Sequence, residues 1–295
     1  MPECFYCGQK AAIVTERAMC RKHFTRYFEE KVRRTIKRFG LLERKEKLAV
    51  AASGGKDSTA VLYILKKLGY NVEALAINEG IHGYRDATLK DLTEFCQQHS
   101  IKLSVVSYKD YFGFTLDELL QKKKLHPCMA CGILRRYLLN KAANGYDKLV
   151  TGHNLDDEAQ SIMMNMAKAN VQLMARLGPK TGQIEDTRFT PRVKPLYLCS
   201  EKEVATYAYI QGFSIKFTEC PNAAQSFRAH IRDMLNEMEA KTQGTKLGIV
   251  HSFLKLMPLL RQMPVVKELN YCRECGEPSS KETCSACGIA RIAFA

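Results

Sequence analysis

A chain of 295 residues with 46% hydrophobic and 26% charged residues has the composition of a globular protein, long enough for one large domain with additions or for two. A net charge of +14 and a pI of about 9.2 fit an anionic partner such as nucleic acid or a membrane surface, beside the plainer alternative of a basic solvated surface. No apolar run reaches the roughly 20 residues that span a bilayer, and Met1-Pro2-Glu3-Cys4 lacks the basic and apolar regions of a secretory signal, so the expected location is cytoplasmic.

The chain opens on Cys4-x-x-Cys7 and, after twelve residues, Cys20-x-x-His23. Four such ligands close a tetrahedral shell, the mark of a structural zinc, with Gly8 giving the turn a flexible backbone. Glu29–Arg38 is a basic helix candidate carrying Lys31, Arg33, Arg34, Lys37 and Arg38, either a phosphate contact or a solvated face. Lys47–Ala52 is a short buried strand, and Ser58–Leu68 a helix with Val61, Leu62, Leu65 and Leu68 at helical spacing. A strand at Asn71–Ile77, a helix at Arg85–Gln98, a strand at Lys102–Ser107, a helix at Gly132–Asn144, a strand at Lys148–Thr151 and a helix at Asp156–Lys168 continue the alternation. Repeated β-α units of this size predict an α/β domain, a mainly parallel sheet with helices on both faces, whose ligands bind at the carboxyl ends of the strands. Leu177–Pro195 lacks periodicity and is expected to be a long mobile loop. The C-terminus carries Cys272-x-x-Cys275 and, after eight residues, Cys284-x-x-Cys287, a four-cysteine zinc ribbon with Gly276 and Gly288 at its turns. Either zinc module is structural or also grips RNA. The expected division is an N-terminal zinc module with its basic helix at 1–40, a catalytic domain at 41–265 and a C-terminal ribbon at 266–295.

Ser53-Gly54-Gly55-Lys56-Asp57-Ser58 joins the first strand to the first helix. Two glycines let the backbone approach a phosphate, the helix N-terminus aims amide donors at it, the two serines add hydroxyls and Lys56 adds charge. The pattern is neither a Walker A loop nor a dinucleotide fingerprint. Gly152-His153-Asn154-Leu155-Asp156-Asp157 ends the fourth strand. Gly152 permits close backbone approach. Asp156 and Asp157 either cap the next helix or contact metal or substrate, and His153 is read as a structural hydrogen-bonder.

Twelve cysteines with this spacing, in a reducing compartment, point to metal or redox chemistry. Cys128-Met129-Ala130-Cys131, just after Pro127 and ahead of a helix, and the distant Cys220-Pro221 admit three readings: a redox pair, buried packing thiols, or a three-thiolate iron–sulfur site. Cys96, on an apolar helix face, and Cys199, before a helix start at Ser200, are read as packing residues.

The loop Ser53–Ser58 matches the pyrophosphate loop, Ser-Gly-Gly-x-Asp-Ser, of the PP-loop ATP pyrophosphatase superfamily, adenine nucleotide alpha hydrolase-like in fold. Together with the central cysteine pair, the later cysteine and the flanking zinc modules, the whole chain resembles the tRNA 2-thiouridine synthetases of the TtuA and NcsA type, relatives of the eukaryotic cytosolic thiouridylase catalytic subunit. The resemblance implies ATP, cleaved to AMP and pyrophosphate, with Mg²⁺. It puts Ala51, Ser53, Gly54, Gly55, Lys56, Asp57, Ser58, Ile77, Arg135, Gly152 and Asp156 on the nucleotide, Ile77 near the adenine. It implies a [4Fe-4S] cluster on Cys128, Cys131 and Cys220, and these three with Asp57 as the catalytic residues. A persulfide and disulfide relay between Cys128 and Cys220 is the older alternative, with no evident use for Cys131.

The expected activity is ATP-dependent tRNA sulfurtransfer, in which a uridine C2 carbonyl is adenylated and its oxygen replaced by sulfur. Position 34 is favoured over 54, because eleven Met, twelve Cys and many Asn and Gln look mesophilic. The expected partners are tRNA, a ubiquitin-like sulfur-carrier protein or inorganic sulfide as donor, and a second copy in a homodimer. Rivals are a PP-loop cytidine thiolase, a PP-loop ligase that needs no cysteines, and a non-catalytic zinc protein that binds RNA.

Overall fold

The computed structural model describes residues 2–181, 189–213, 220–222, 226–263 and 270–294. The N-terminal cysteine segment forms a hairpin, β1 (Ile13–Val14) and β2 (Ala18–Met19), ahead of the helix α1 (Arg21–Phe39). The basic stretch Glu29–Arg38 is the second half of α1. Phe24, Phe28, Val32 and Ile36 recur every fourth residue and form its buried stripe. Gly40, at φ +55°, ends the helix and donates its N–H back to its last turn.

The expected alternation follows: β3 (Lys47–Ala51), α2 (Lys56–Lys67), β4 (Asn71–Asn78), α3 (Arg85–Gln98) and β5 (Leu103–Ser107). Two short helices, α4 (Tyr108–Phe112) and α5 (Leu116–Lys122), lead to α6 (Pro127–Ala142), β6 (Lys148–Thr151), α7 (Leu155–Ala167) and α8 (Val171–Met174). Three helices start before their apolar periodicity begins: α2 at Lys56 rather than Ser58, α6 at Pro127 rather than Gly132, and α7 at Leu155 rather than Asp156. The earlier start of α6 changes the site. Cys128-Met129-Ala130-Cys131 does not precede the helix but forms its first turn, behind a proline whose fixed φ suits the N1 position.

The long loop expected at Leu177–Pro195 contains two short strands, β7 (Lys180–Thr181) and β8 (Arg192–Val193), each too short to show alternation in sequence. Residues 182–188 of that stretch lie outside the described residues. Ser200 caps α9 (Glu201–Ile210), as its sequence position implies. Then come α10 (Phe227–Lys241), α11 (Thr245–Gln262), a hairpin of β9 (Asn270–Tyr271) and β10 (Pro278–Ser279), and α12 (Ser285–Phe294). Among the described residues no helix is long and apolar enough to cross a membrane.

The main sheet has the order β5-β4-β3-β6-β8-β7, parallel except for β7, which runs antiparallel to β8. Alternation along β3 sends Leu48 and Val50 into a core with α1, α2, α3 and α9, while Ala49 packs on the opposite face with Leu149 and Ala143. The chain leaves β3 toward β4 and β5, then returns to the other side of β3 at β6. Such a reversal opens a crevice at the carboxyl ends of the strands, here after Ala51 and Thr151. A third core joins Leu155 and Ile162 of α7 to α10 and α11. A fourth packs Cys272, Cys284, Ile289 and Ala293 against Leu134 and Leu138 of α6, so the C-terminal cysteine module shares its apolar interior with the helix that carries Cys128 and Cys131.

Candidate active site

The loop after β3 is held in shape by its own side chains. The Ser58 hydroxyl accepts from the Ser53 N–H at 3.1 Å and donates to the Gly55 carbonyl at 3.0 Å, and the Ser53 hydroxyl accepts from the Gly55 N–H at 3.3 Å. Gly54 sits at φ +81°, and a Cβ there would lie 2.4 Å from the Thr88 carbonyl oxygen. Gly152, leaving the neighbouring strand, backs directly on the loop: its Cβ would stand 2.7 Å from the Ser58 nitrogen. Both glycines are therefore fixed by space, and Gly54 by conformation as well. With the N-terminus of α2 behind it, this loop is a preformed anion cradle.

Charges around the cradle come in pairs. Lys56 contacts Glu201 at 2.8 Å and Asp57 at 3.2 Å. Asn154 caps α7, accepting from the N–H groups of Asp156 and Asp157, and donates to the Asp57 carboxylate at 2.9 Å, which ties the two sequence motifs together. Burial raises the Asp57 pKa, against the pull of Lys56 and Asn154. Burial and then the charge of Asp57 push Asp157 up to about 6. Asp156 is different: it is buried, pairs with Lys246, and accepts the Glu201 N–H at 2.8 Å. Of the carboxylates here, Asp57 and Asp157 are the pair whose mutual repulsion a divalent cation would relieve.

Ala51 ends β3 beside the cradle. The Ile77 side chain is buried in the core with Tyr108 and Leu134. The Ile77 carbonyl is itself taken by the Arg85 guanidinium, which also donates to the Ser53 carbonyl at 2.7 Å. Arg85 Nε lies 2.9 Å from Glu79, at ion-pair distance without hydrogen-bond alignment, and the other Glu79 oxygen faces Arg135 at 3.7 Å. Glu79 and Arg85 are both almost wholly buried. This chain of contacts runs from the phosphate loop to Arg135 on α6. Sequence reasoning misses Glu79 and Arg85; the available signal is a charged residue directly after a buried strand and another opening the next helix.

On α6, Cys128, Cys131 and Arg135 stand three and four residues apart and share one face. The Cys128 thiol donates to the Asn222 carbonyl at 3.2 Å, which brings the Cys220–Asn222 segment against the helix. Burial raises the Cys131 pKa, with Arg135 pulling it down, and burial likewise raises Cys220, helped by the charge of Cys128. The three thiols thus converge, but not within the 4.8 Å that encloses each of the other two cysteine sets. Three thiol donors are the chemistry of an iron–sulfur site, whose positive iron would hold the raised thiols as thiolates. Tyr108 donates to the Cys131 carbonyl at 2.9 Å from a fully buried position and fixes this turn.

The terminal sets fit zinc. Zinc–sulfur bonds of roughly 2.3 Å in a tetrahedron require sulfur separations of roughly 3.8 Å. Cys7 and Cys20 are 3.7 Å apart, and Cys275 and Cys284 are 3.8 Å apart. His23 Nδ1 lies 3.4 Å from Cys4 and 3.3 Å from Cys20. Burial raises the Cys4 and Cys272 thiols, but backbone N–H donors outweigh it and bring them to about 6 and about 7. Cys96 and Cys199 are buried in the main core.

Beyond the cysteines the cleft is strongly positive. His153 is exposed, and its Nδ1 shares a hydrogen bond with the Thr151 hydroxyl at 2.9 Å. Burial and the charges of Lys194, Arg228, Arg135 and Arg192 lower its pKa to about 3, so it is a neutral imidazole at physiological pH.

The pattern of the PP-loop domain family matches residues 25–239. The tRNA-5-methyluridine(54) 2-sulfurtransferase of Pyrococcus horikoshii is 39% identical over 290 residues, covering 97% of this chain and 92% of its own. Cytoplasmic tRNA 2-thiolation protein 1 of Drosophila erecta is 36% identical over 296 residues, covering 95% and 84%. Among solved structures, the U34-tRNA thiolase NcsA from Methanococcus maripaludis, with its [4Fe-4S] cluster, matches at a TM-score of 0.85 and 31% identity, covering 99% of this chain and 96% of that one. A phosphate cradle and a thiol centre in one cleft, on a chain so matched along nearly its whole length, mean that this protein belongs to the PP-loop family of tRNA 2-thiolation sulfurtransferases.

Proposed function

We propose that this protein is an ATP-dependent tRNA sulfurtransferase that adenylates the C2 carbonyl oxygen of a tRNA uridine and replaces that oxygen with sulfur. The observation that carries this reading is the buried Arg85–Glu79 pair, which joins the phosphate loop at Ser53 to Arg135 beside the cysteines. One chemistry that needs both ends is activation by ATP followed by delivery of sulfur.

ATP seats its phosphates on the amides and hydroxyls of Ser53–Ser58. Lys56 turns from Glu201 to the departing pyrophosphate, and Asp57 with Asp157 fits the accompanying Mg²⁺. Asp156 supports the site through Lys246 and the start of α9 rather than by touching the nucleotide. The uridine oxygen attacks the α phosphorus and pyrophosphate leaves; sulfur then attacks C2, and AMP departs with the former uridine oxygen. Cys128, Cys131 and Cys220 would hold a [4Fe-4S] cluster, which supplies an iron free of protein ligands as a carrier for sulfur. Arg135 answers the negative charge of the thiolates and of the phosphate, and neutral His153 offers a hydrogen bond without adding charge. The two terminal sets hold zinc as structural ions.

We take position 34 as the target. The composition of the chain supports it, as does likeness to the NcsA structure, whereas the Pyrococcus relative is named for position 54. Sulfide or a ubiquitin-like thiocarboxylate as donor, a homodimer and a cytoplasmic location complete the reading; the last accords with the name of the Drosophila relative. The test is incubation of oxygen-free protein with unmodified tRNA, ATP and sulfide, followed by position-mapped nucleoside mass analysis. A 2-thiouridine at position 34 that requires ATP supports the proposal. Thiolation at 54 would move the target, and thiolated cytidine or no thiolation would overturn the reading.

A further inference from the structure

Cations near the thiol centre have carboxylate partners: Arg135 faces Glu79, Lys194 is 2.7 Å from Glu158, and Arg228 is 3.7 Å from Asp157. Arg136 and Arg192 are the exception. Among the described residues neither forms an ion pair with a carboxylate, although they lie against each other, Arg192 Nη2 donating to the Arg136 carbonyl at 3.2 Å. The Arg136 guanidinium folds back along α6 over Gly132, where a Cβ would stand 3.2 Å from its Nη1, next in sequence to Cys131. Arg192 comes from β8, whose partner β6 leads to Gly152 and His153. Burial, and then the nearby charge of Arg136, lower Arg192 to about 10.

Two neighbouring arginines with no carboxylate partner among the described residues keep their planar forks of N–H donors available to an anion. The ATP phosphates have their own cradle at Ser53–Ser58. We propose that Arg136 and Arg192 form a phosphate subsite for the substrate RNA, seating a backbone phosphodiester beside the uridine that is presented to the thiol centre. This rests on the tRNA reading above and adds the contact that positions the strand.

The test uses the full-length protein purified without oxygen and an unmodified tRNA transcript, with binding measured by fluorescence anisotropy across a salt series. Each phosphate contact removed should flatten the slope of log K against log[salt] by about 0.7 to 1. Arg192→Ala and Arg136→Ala are each expected to show that loss, while Arg192→Lys keeps the slope and ATP binding stays unchanged in all three. Arg192→Gln serves if the alanine variant does not fold. A wild-type slope in Arg192→Ala, or an Arg136→Ala that alters iron content but not the slope, would overturn the subsite. Wild-type protein that binds no tRNA would instead overturn the underlying reading.

Discussion

The phosphate loop and the thiol centre face the same cleft but are built in opposite ways. The loop is largely local: Ser53, Gly55 and Ser58 bond to one another within six consecutive residues, Gly54 backs on Thr88, and Gly152 of the neighbouring strand backs on Ser58. The thiol centre is assembled from a helix turn and from Cys220, joined across the fold by the Cys128–Asn222 contact. The loop takes much of its shape from its own serine hydroxyls and backbone. In the centre, burial raises the Cys131 and Cys220 pKa values. On the proposed reading, the anion site is prepared in advance and the thiol centre would be completed by a cluster.

The largest effects should separate the two regions. Cys128→Ala, Cys131→Ala and Cys220→Ala should each reduce thiolation by more than ~10³-fold with iron lost, while ATP affinity, read by equilibrium binding, changes less than about twofold. A parallel fall in ATP affinity would break the separation. Lys56→Ala should lower the rate of AMP formation by ~10² to 10³-fold and leave the iron content intact. The Arg85–Glu79 pair joins the regions, so Arg85→Ala should strand a buried carboxylate and cost about 3–5 kcal/mol of stability, seen in denaturant unfolding. Gly152→Ala pushes a methyl into the Ser58 backbone and should cost about 1–3 kcal/mol, with weaker ATP binding but an unaltered iron spectrum.

The smallest effect lies away from both regions. A hydrogen bond from Tyr146, then Lys102 and Lys47, holds Glu73 below the usual carboxylate range. Its stabilisation is fully present above the unfolded value and is lost as pH falls through the lower folded one. Glu73→Gln should therefore cost under about 1 kcal/mol at neutral pH and nothing in strong acid, with catalysis unchanged, as urea unfolding at two pH values would read.

The same contrast governs what the sequence reveals. The loop, both terminal sets of metal-ligand type and the β3-to-α7 alternation are legible because their residues are contiguous or periodic. The first turns of α2, α6 and α7 are not, since Lys56, Cys128 and Leu155 precede the apolar stripe, and only the structure shows Cys128 and Cys131 on a helix. The strands β7 and β8 are two residues each, below the length at which alternation can be seen. Glu79, Arg85 and the Arg136–Arg192 pair stay hidden for another reason: their meaning lies in partners that are present or missing across the fold. Asp156 and Asp157 are adjacent and look alike in sequence, yet Lys246 neutralises one and Asp57 repels the other.

The most direct test of the account follows one oxygen atom. With tRNA transcribed from uridine labelled at O2 with oxygen-18, the mechanism predicts one labelled AMP for each 2-thiouridine formed, read by mass spectrometry. Thiolation accompanied by unlabelled AMP, with the label released to water, would contradict activation of the uridine by the phosphate loop.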